Sequence, residues 1–323
     1  MDRDGERLRG GTTLAVVMDR FGGADVLRLA ERPRPQPKPG EVLVRTRCAG
    51  VNYIDALTRA GQGVPVERFP AIVGWDVAGT VAALGEGVTR FRVGDAVFGM
   101  PRFPRLAEAY AEYMSAPAHE LALKPARVDH AIAASAPMIG LTAWLALFTQ
   151  GGLRSGQRVF IHGASGGVGH VAVQLAREAG AEVIGTASEA HHDFVASLGA
   201  SLVIDHAEGT IERAVRDVDL AVDHRGGDDF VRIVGVMRPG GIIATLKGAD
   251  AAGEGLAKAK GVRVERIFVQ PNGEVLEQIG ERLATGRLRV AVSRTLPLAE
   301  ASAAHAVVER ARGGERIVLD VIT

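Results

Sequence analysis

A glycine-rich turn is the clearest chemical feature of the sequence. Residues 162–176 read HGASGGVGHVAVQLA, and Gly167, Gly169 and Ala172 match the spacing G-x-G-x-x-[GA] between an apolar strand pattern and a helical pattern. The glycines permit a tight turn and close approach of a pyrophosphate, and the small third residue lets the helix pack on the strand. The pattern predicts a dinucleotide site; the alternative is a tight strand-to-helix turn without a ligand. The residues predicted to contact the cofactor are Ser165, Gly166, Gly167, Val168 and Gly169.

The end of the next predicted strand bears on which dinucleotide binds. NAD-binding sites carry an acidic residue there, roughly 20 positions on, which accepts a hydrogen bond from the ribose 2′-hydroxyl. This chain has Ser188, which does not repel a 2′-phosphate, so the sequence favours NADP(H). Glu189 follows directly, so NAD(H) stays an alternative cofactor. His191 and His192 either donate to a phosphate or lie on the surface.

The predicted secondary structure that must position this turn differs between the two halves of the chain. After a charged, glycine-containing start, residues 13–130 show short strand patterns separated by proline, glycine and acidic turns, which predict a mostly antiparallel β domain. Beyond about Ala131 helical patterns appear and then alternate with strands. Such alternation predicts a parallel, doubly wound α/β sheet.

Composition narrows the class of protein. The 323 residues carry 38 basic and 38 acidic side chains, so no net field attracts nucleic acid or anionic lipid. Cys48 is the one cysteine, which excludes an internal disulfide and any zinc site built mainly from thiolates. With neither a signal-peptide pattern nor a long apolar segment, we expect a cytoplasmic protein that acts on a small molecule, without nucleic-acid or membrane partners.

Several motifs in order resemble the medium-chain dehydrogenase/reductase superfamily, and within it the zinc-independent quinone oxidoreductase branch, which includes ζ-crystallin and enoyl or alkenal reductases. They are GVNYIDALTRAG, AYAEYMSAP, HGASGGVGHVAVQLA, GTAS and RIVLDV. The resemblance implies a GroES-like β domain and an inserted Rossmann domain, with the active site in the cleft between them. The implied divisions are a flexible leader at 1–12, a GroES-like domain at 13–130 and 276–323, and a Rossmann domain at 131–275.

The same resemblance implies that the catalytic zinc is absent. Zinc alcohol dehydrogenases of the superfamily place a cysteine ligand where this chain has Asn52, and a His-Glu pair where it has Trp75 and Asp76. Cys48 lies four residues before the ligand position, so we expect it to pack in the core. Without a metal to polarise an alkoxide, alcohol oxidation is disfavoured, and reduction of an acceptor that takes hydride unaided is favoured.

The segment GVNYIDALTRAG supplies the catalytic candidates by resemblance. Asn52 is expected to contact the nicotinamide ribose or a substrate oxygen, or else to be a turn residue at a strand end. Tyr53 is a candidate proton donor or stacking wall. Asp55 lies by the nicotinamide in the family, although an aspartate at this place would also serve as a helix N-cap. Arg59 is expected to support Asp55 from one helical turn away.

Other candidates lie in the second half. Thr142 sits where the family often has a threonine near the nicotinamide; the alternative is a hydroxyl bonded to its own helix. Where relatives read Asp-Thr-Val-Gly-Gly, this chain has DHRGG, so His224 and Arg225 stand at the ligand-binding edge of the sheet, as does Lys247. Their roles stay open. Relatives that read TAS-x-[KR]-N use the basic residue for the 2′-phosphate, whereas this chain has Ala190 and His191 at the last two positions, which weakens the NADP(H) assignment.

We therefore expect an NAD(P)H-dependent reductase that transfers hydride to a quinone or to the β-carbon of an α,β-unsaturated carbonyl. NADP(H) is the preferred cofactor, NAD(H) is possible and zinc is not expected. Two alternatives stay open: an enoyl reductase acting on a carrier-bound chain, and a non-catalytic, crystallin-like NADPH-binding protein. The family also implies a homodimer joined through edge strands of the Rossmann sheet, for which residues 262–270 are the candidate edge.

Overall fold

The computed structural model describes residues 11–205, 211–227, 229–310 and 316–322. The leader predicted at 1–12 lies mostly outside them. The strands are β1 (Thr12–Val17), β2 (Arg28–Pro33), β3 (Glu41–Val51), β4 (Val77–Leu84), β5 (Ala96–Gly99), β6 (Tyr113–Pro117), β7 (Leu121–Leu123), β8 (Arg158–His162), β9 (Glu182–Ala187), β10 (Leu202–Asp205), β11 (Val218–Asp223), β12 (Met237–Thr245), β13 (Arg263–Arg266), β14 (Val292–Pro297) and β15 (Arg316–Asp320).

The helices in the described parts of the chain vary in length from one turn to just over three turns. They are α1 (Tyr53–Arg59), α2 (His130–Ser135), α3 (Pro137–Trp144), α4 (Gly167–Glu178), α5 (His192–Leu198), α6 (Ile211–Ala214), α7 (Asp229–Val236), α8 (Ala251–Ala259), α9 (Gly273–Ala284) and α10 (Ala301–Arg310). None of these helices has the length and apolar character that a membrane span requires.

Strand pairing separates two main sheets. A seven-stranded sheet contains β3 to β7 with β14 and β15, and β1 and β2 form a separate antiparallel pair. All pairings in the seven-stranded sheet are antiparallel except β14 with β15. The second sheet is parallel, in the order β10-β9-β8-β11-β12-β13. Its strands therefore run third, second, first, fourth, fifth, sixth, which is the order of a Rossmann fold. The predicted fold class is confirmed.

Long-range pairing brings the chain end to the first sheet. Residues 317–320 of β15 pair antiparallel with residues 48–51 of β3. The side chains of Ile317, Val318 and Leu319 are fully buried in the same hydrophobic cluster as the strands of the N-terminal half. The final strand thus belongs to the sheet that carries Asn52 at the end of β3.

Two local predictions were wrong. The helical pattern extended from residue 229 to 240, whereas α7 ends at Val236 and Met237 begins β12, consistent with Pro239, which lacks the N–H that a helix needs. The helix predicted around residues 131–148 is divided into α2 and α3 before Pro137, and the chain continues as a π-helical turn at residues 145–149. Strand β14 went unpredicted because its side chains are mostly exposed and show no apolar alternation.

The position of β15 predicts a large cost for removing its core side chains. We expect Leu319→Ala to lower the free energy of unfolding by about 2–5 kcal/mol, because the buried leucine leaves a cavity between β3 and β14. Ile322→Ala, at a position 40% exposed, should change it by about 0.5 kcal/mol or less. Urea denaturation of both variants measures the difference; equal effects would contradict integration of β15 into the core.

Candidate active site

The glycine-rich turn links β8 to α4 at the carboxyl edge of the parallel sheet. Gly163 has φ +76°, and its N–H donates to Thr186 Oγ1 at 2.9 Å, at the end of β9. A Cβ atom on Gly169 would lie 2.2 Å from the carbonyl oxygen of Gly163, so only glycine permits this approach of helix to turn. Ser165 is buried within the turn. The N-terminus of α4 is therefore held at the edge where parallel sheets bind ligands.

A buried arginine, unforeseen from the sequence, joins this turn to the other sheet. The Nη2 atom of Arg316, the first residue of β15, donates to Asn52 Oδ1 at 3.0 Å and to the carbonyl oxygen of Ser135 at 2.9 Å. Its Nη1 atom lies 3.6 Å from the point where a Cβ on Gly167 would stand. Its Nε has no partner among the described residues. Burial lowers the pKa of this guanidinium, while Asp76 and Asp55 oppose that effect.

Asn52 lies at the centre of the site, between β3 and α1. Its side chain is 3% exposed and donates from Nδ2 to Asp76 Oδ2 at 2.9 Å, while its Oδ1 accepts from Arg316. Asp76 also accepts from the backbone N–H of Met138 at 2.9 Å. These contacts fix which end of the amide is oxygen and which is nitrogen, and they leave one N–H of Nδ2 without a partner in the described part of the chain.

Behind Asn52 lies a second buried carboxyl. Asp55 accepts from the Asn52 backbone N–H at 2.7 Å and from the Tyr110 hydroxyl at 2.9 Å, and that hydroxyl lies 3.3 Å from His305 Nε2. Burial raises the pKa of Asp55 and of Asp76 to about 7. Burial, followed by the charge of Asp55, raises the pKa of Tyr110 well above its usual range. Tyr110 lies in the motif AYAEYMSAP and His305 in none of the motifs, and the sequence analysis singled out neither because their hydrogen-bond partners are remote in sequence.

Some predicted contacts differ in the structure. Helix α1 begins at Tyr53 with Asn52 as its N-cap residue, so Asp55 is the third helical residue and not the N-cap. Arg59 does not support Asp55: it pairs with Glu309 on α10 at 2.6 Å and donates to the carbonyl oxygen of Gly22. This pairing depends on a helix 250 positions away, which local spacing cannot reveal.

The two other candidate residues, Tyr53 and Thr142, are not part of the hydrogen-bond network of Asn52, Asp76 and Arg316. Tyr53 is 54% exposed at the start of α1. The Thr142 hydroxyl donates to the Met138 carbonyl at 2.6 Å, so it is bonded to its own helix, next to the Met138 N–H that contacts Asp76. Thr142 keeps its acceptor lone pairs for a ligand.

The residues predicted near the ribose come together after β9. The Ser188 hydroxyl lies 2.8 Å from His191 Nδ1, whereas His192 Nε2 lies 3.3 Å from the Ala187 carbonyl oxygen. The Glu189 backbone N–H donates to Asp205. Ser188 and His191 therefore form one polar group at the end of β9.

The residues at the zinc positions do not fit that metal. Asn52 is a weak ligand already bonded on both sides, and the Trp75 indole N–H donates to the Arg105 carbonyl at 2.7 Å. Cys48 is buried, and burial raises the pKa of its thiol to about 12, which opposes the thiolate that zinc requires. Among the described residues, no group of three or more His, Cys, Asp or Glu side chains is placed to hold a metal.

Two protein-family models match the chain. Residues 38–126 match the model of the alcohol dehydrogenase GroES-like domain, and residues 198–319 match that of the zinc-binding dehydrogenases. The chain is 30% identical to the human mitochondrial NAD(P)H oxidoreductase RTN4IP1, over 95% of this chain and 89% of that protein. It superposes on the quinone oxidoreductase of Coxiella burnetii with a TM-score of 0.89 at 33% identity, covering 96% and 99% of the two chains.

The chain belongs to the quinone oxidoreductases of the medium-chain dehydrogenase/reductase superfamily. A further member, Escherichia coli quinone oxidoreductase solved with NADPH, superposes with a TM-score of 0.83 at 25% identity, over 94% of this chain and 99% of that one. Membership makes this protein an oxidoreductase. Structures of relatives with NADPH bound also support binding of NADP(H).

The buried carboxyls predict a pH dependence of stability. The pKa of Asp55 rises from 3.8 to about 7 on folding, so its contribution to stability is complete below pH 4 and is lost as the pH rises through 7. We expect Asp55→Asn to gain stability relative to wild type between pH 4 and 7, with a slope of up to about 1.4 kcal/mol per pH unit.

Urea denaturation at several pH values measures that slope. Tyr110→Phe is the matched control, because it retains the carboxyl and removes the hydrogen bond that lowers its pKa. In that variant the titration should persist and move to higher pH. Parallel pH profiles for Asp55→Asn and wild type would show that Asp55 does not titrate in this window.

Proposed function

We propose that this protein is a zinc-independent, NADPH-dependent reductase that transfers hydride to a quinone or to the β-carbon of an α,β-unsaturated carbonyl compound. The observation that carries the proposal is the Asn52–Asp76–Arg316 network. By the family resemblance, Asn52 and Asp76 stand at positions where zinc dehydrogenases carry metal ligands, and through Arg316 the network lies beside the glycine-rich turn. A fixed amide donor thus stands where those enzymes hold their metal.

The residues proposed to hold the cofactor come from both sheets. The backbone of Gly166, Gly167, Val168 and Gly169, with Ser165, receives the pyrophosphate at the start of α4. Arg316 faces Gly167 from the other sheet and offers charge to the same anion. Thr142 and Asn52 lie on the nicotinamide side. When bound, the reduced nicotinamide supplies the hydride.

The protein's own contribution is to position and polarise the acceptor. Oxygen charge develops as hydride arrives, and the free N–H of Asn52 is the donor placed to stabilise it. Asp76 and Arg316 hold that amide rigid, so little reorganisation is needed at the moment of transfer. A proton then completes the two-electron reduction; it comes from the exposed Tyr53 hydroxyl or from water.

An aromatic wall supports a planar acceptor. Buried Trp75 contacts Phe103 edge-on at 5.3 Å between ring centroids, and Phe103 lies 6.0 Å from Phe268. Phe268 follows β13 at the ligand-binding edge of the parallel sheet and is 57% exposed, whereas Trp75 adjoins Asp76 of the site. The wall therefore spans the two sheets beside the proposed hydride path. Such rings favour stacking with flat, apolar molecules.

The proposal also includes the organisation expected from the family. Residues 13–130 and 276–323 form the GroES-like domain and residues 131–275 the Rossmann domain. We further propose a cytoplasmic homodimer. Strand β13 is the edge of the parallel sheet, so its free side is available for pairing with a second copy. Size-exclusion chromatography with light scattering tests the dimer.

The function predicts a loss of turnover without the Asn52 donor. Oxidation of NADPH at 340 nm is followed with a panel of quinones and enones. We expect Asn52→Ala to lower kcat by roughly 100- to 1,000-fold, as for removal of an oxyanion donor. Thermal denaturation monitors folding, because the substitution also leaves Asp76 and Arg316 without a partner. Bound NADPH that no acceptor oxidises in wild type would instead support a non-catalytic nucleotide-binding role.

A companion variant separates the two sources of the proton. In Tyr53→Phe the hydroxyl is lost at an exposed position, so folding should be unaffected. Unchanged turnover in this variant would identify water as the proton source. A fall in kcat with the same KM would assign the role to Tyr53.

The aromatic wall predicts a selective effect on acceptor binding. We expect Phe268→Ala to raise KM for a naphthoquinone roughly 3- to 10-fold, from the loss of one aromatic contact, and to leave KM for a small aliphatic enone unchanged. Phe21→Ala is the control, since Phe21 is similarly exposed but packs edge-on against Phe69, outside the aromatic wall. Equal changes for both acceptors would contradict a stacking role.

A further inference from the structure

The proposed NADPH preference lacks its usual basic residue. After β9, Ser188 and His191 form a polar pair, but neither carries a permanent charge for the 2′-phosphate of NADP(H). Since Nδ1 of His191 faces the Ser188 hydroxyl, Nε2 is the ring nitrogen left for a ligand. A cation must come from another segment if the 2′-phosphate is to be neutralised.

The loop after β11 brings a cation to the glycine-rich turn. Asp223, the last residue of β11, accepts from the backbone N–H groups of Arg225 and Gly226 and from His162 Nδ1, which together bend the loop sharply. As a result the Arg225 side chain passes over the turn. Its Cδ lies 2.8 Å from the point where a Cβ on Gly163 would stand.

Gly163 connects that arginine to the ribose side of the site. The Gly163 N–H donates to Thr186 Oγ1 on β9, two residues before Ser188. The Arg225 guanidinium extends beyond Cδ, and the side chain is exposed with no side-chain partner among the described residues. The Arg225 side chain therefore lies over a turn that is bonded to β9, the strand after which the Ser188–His191 pair stands.

His224 marks the same place as a ligand site. Its Nε2 lies 2.9 Å from the point where a Cβ on Gly166 would stand, and its buried Nδ1 has no partner in the described residues. Burial lowers the pKa of this imidazole to about 4, so the ring is neutral at physiological pH. An unpaired buried nitrogen is costly unless a ligand or water satisfies it. Arg225 is therefore the residue of this loop that carries a permanent positive charge.

We propose that Arg225 provides the cationic contact to the 2′-phosphate of NADP(H), with the Ser188 hydroxyl and the His191 ring completing the phosphate site. The charge thus comes from the loop after β11, in place of the basic residue that relatives carry after β9. The inference rests on the proposed function only in requiring that the protein binds NADP(H).

Binding measurements test this without turnover. Kd values for NADPH, NADH, 2′,5′-ADP and 5′-AMP are determined by fluorescence or calorimetric titration of the full chain. In Arg225→Gln we expect the affinity for NADPH and 2′,5′-ADP to fall roughly 10- to 100-fold, as for loss of a charge-assisted hydrogen bond. Affinity for NADH and 5′-AMP should change less than about twofold, because neither ligand carries the 2′-phosphate.

Two further variants sharpen the result. Lys247→Gln removes a neighbouring charge at the same sheet edge but keeps carbon atoms packed on Gly226, so the NADPH:NADH affinity ratio should stay at the wild-type value. Ala190→Arg restores the basic residue of the relatives at an exposed position, keeps the Ser188–His191 pair, and should recover part of the loss in an Arg225→Gln background.

The outcomes distinguish this inference from the proposed function. A wild-type protein that prefers NADPH, combined with an unchanged NADPH:NADH ratio in Arg225→Gln, would overturn the role of Arg225 alone. Equal weakening of NADPH and NADH would also overturn it, by assigning the arginine to the pyrophosphate or the fold. Equal affinity of wild type for the two dinucleotides would overturn the NADPH preference itself.

Discussion

The site depends on one buried electrostatic contact, between Arg316 and the Asn52–Asp76 pair. Two carboxyls, Asp55 and Asp76, and one guanidinium are almost completely removed from water here. Burying such charges is costly unless each is paired and hydrogen-bonded, and removing one partner of a buried pair typically costs about 3–5 kcal/mol. The network therefore tolerates few substitutions. Its raised carboxyl pKa values show that the single guanidinium does not fully offset the burial of both acids.

That contact also fixes how distant parts of the chain meet. Asn52 directly follows β3, Asp76 directly precedes β4 and Met138 is the second residue of α3. Arg316, in contrast, begins β15, the last strand. Arg316 also faces Gly167, the first residue of α4. The same side chain therefore lies between the sheet next to Asn52 and the helix that follows the glycine-rich turn. In the proposed function, the donor for the acceptor oxygen and the site for the cofactor are thus held at a fixed separation, as hydride transfer requires.

Sequence reasoning succeeded where the signal is local. The glycine turn, the strand before it and the helix after it lie within about 20 residues, and the structure has all three where they were predicted. It failed where a residue's partner is remote. Arg316 looks like an ordinary first residue of a strand, Arg59 finds Glu309 instead of Asp55, and Tyr110 and His305 meet only in the folded core. Exposed β14 carries no periodicity to detect.

In the proposed function, an amide network takes the place of metal ligands, which changes which acceptors can react. A metal polarises an oxygen strongly enough to stabilise an alkoxide, whereas a single neutral N–H donor supplies only part of that stabilisation. When a quinone or an enone takes up hydride, the negative charge that develops spreads over a conjugated system. These acceptors therefore need less stabilisation from the protein. Under this proposal, the donor orientation set by Asp76 and Arg316 and the aromatic wall of Trp75, Phe103 and Phe268 favour the same class of acceptor.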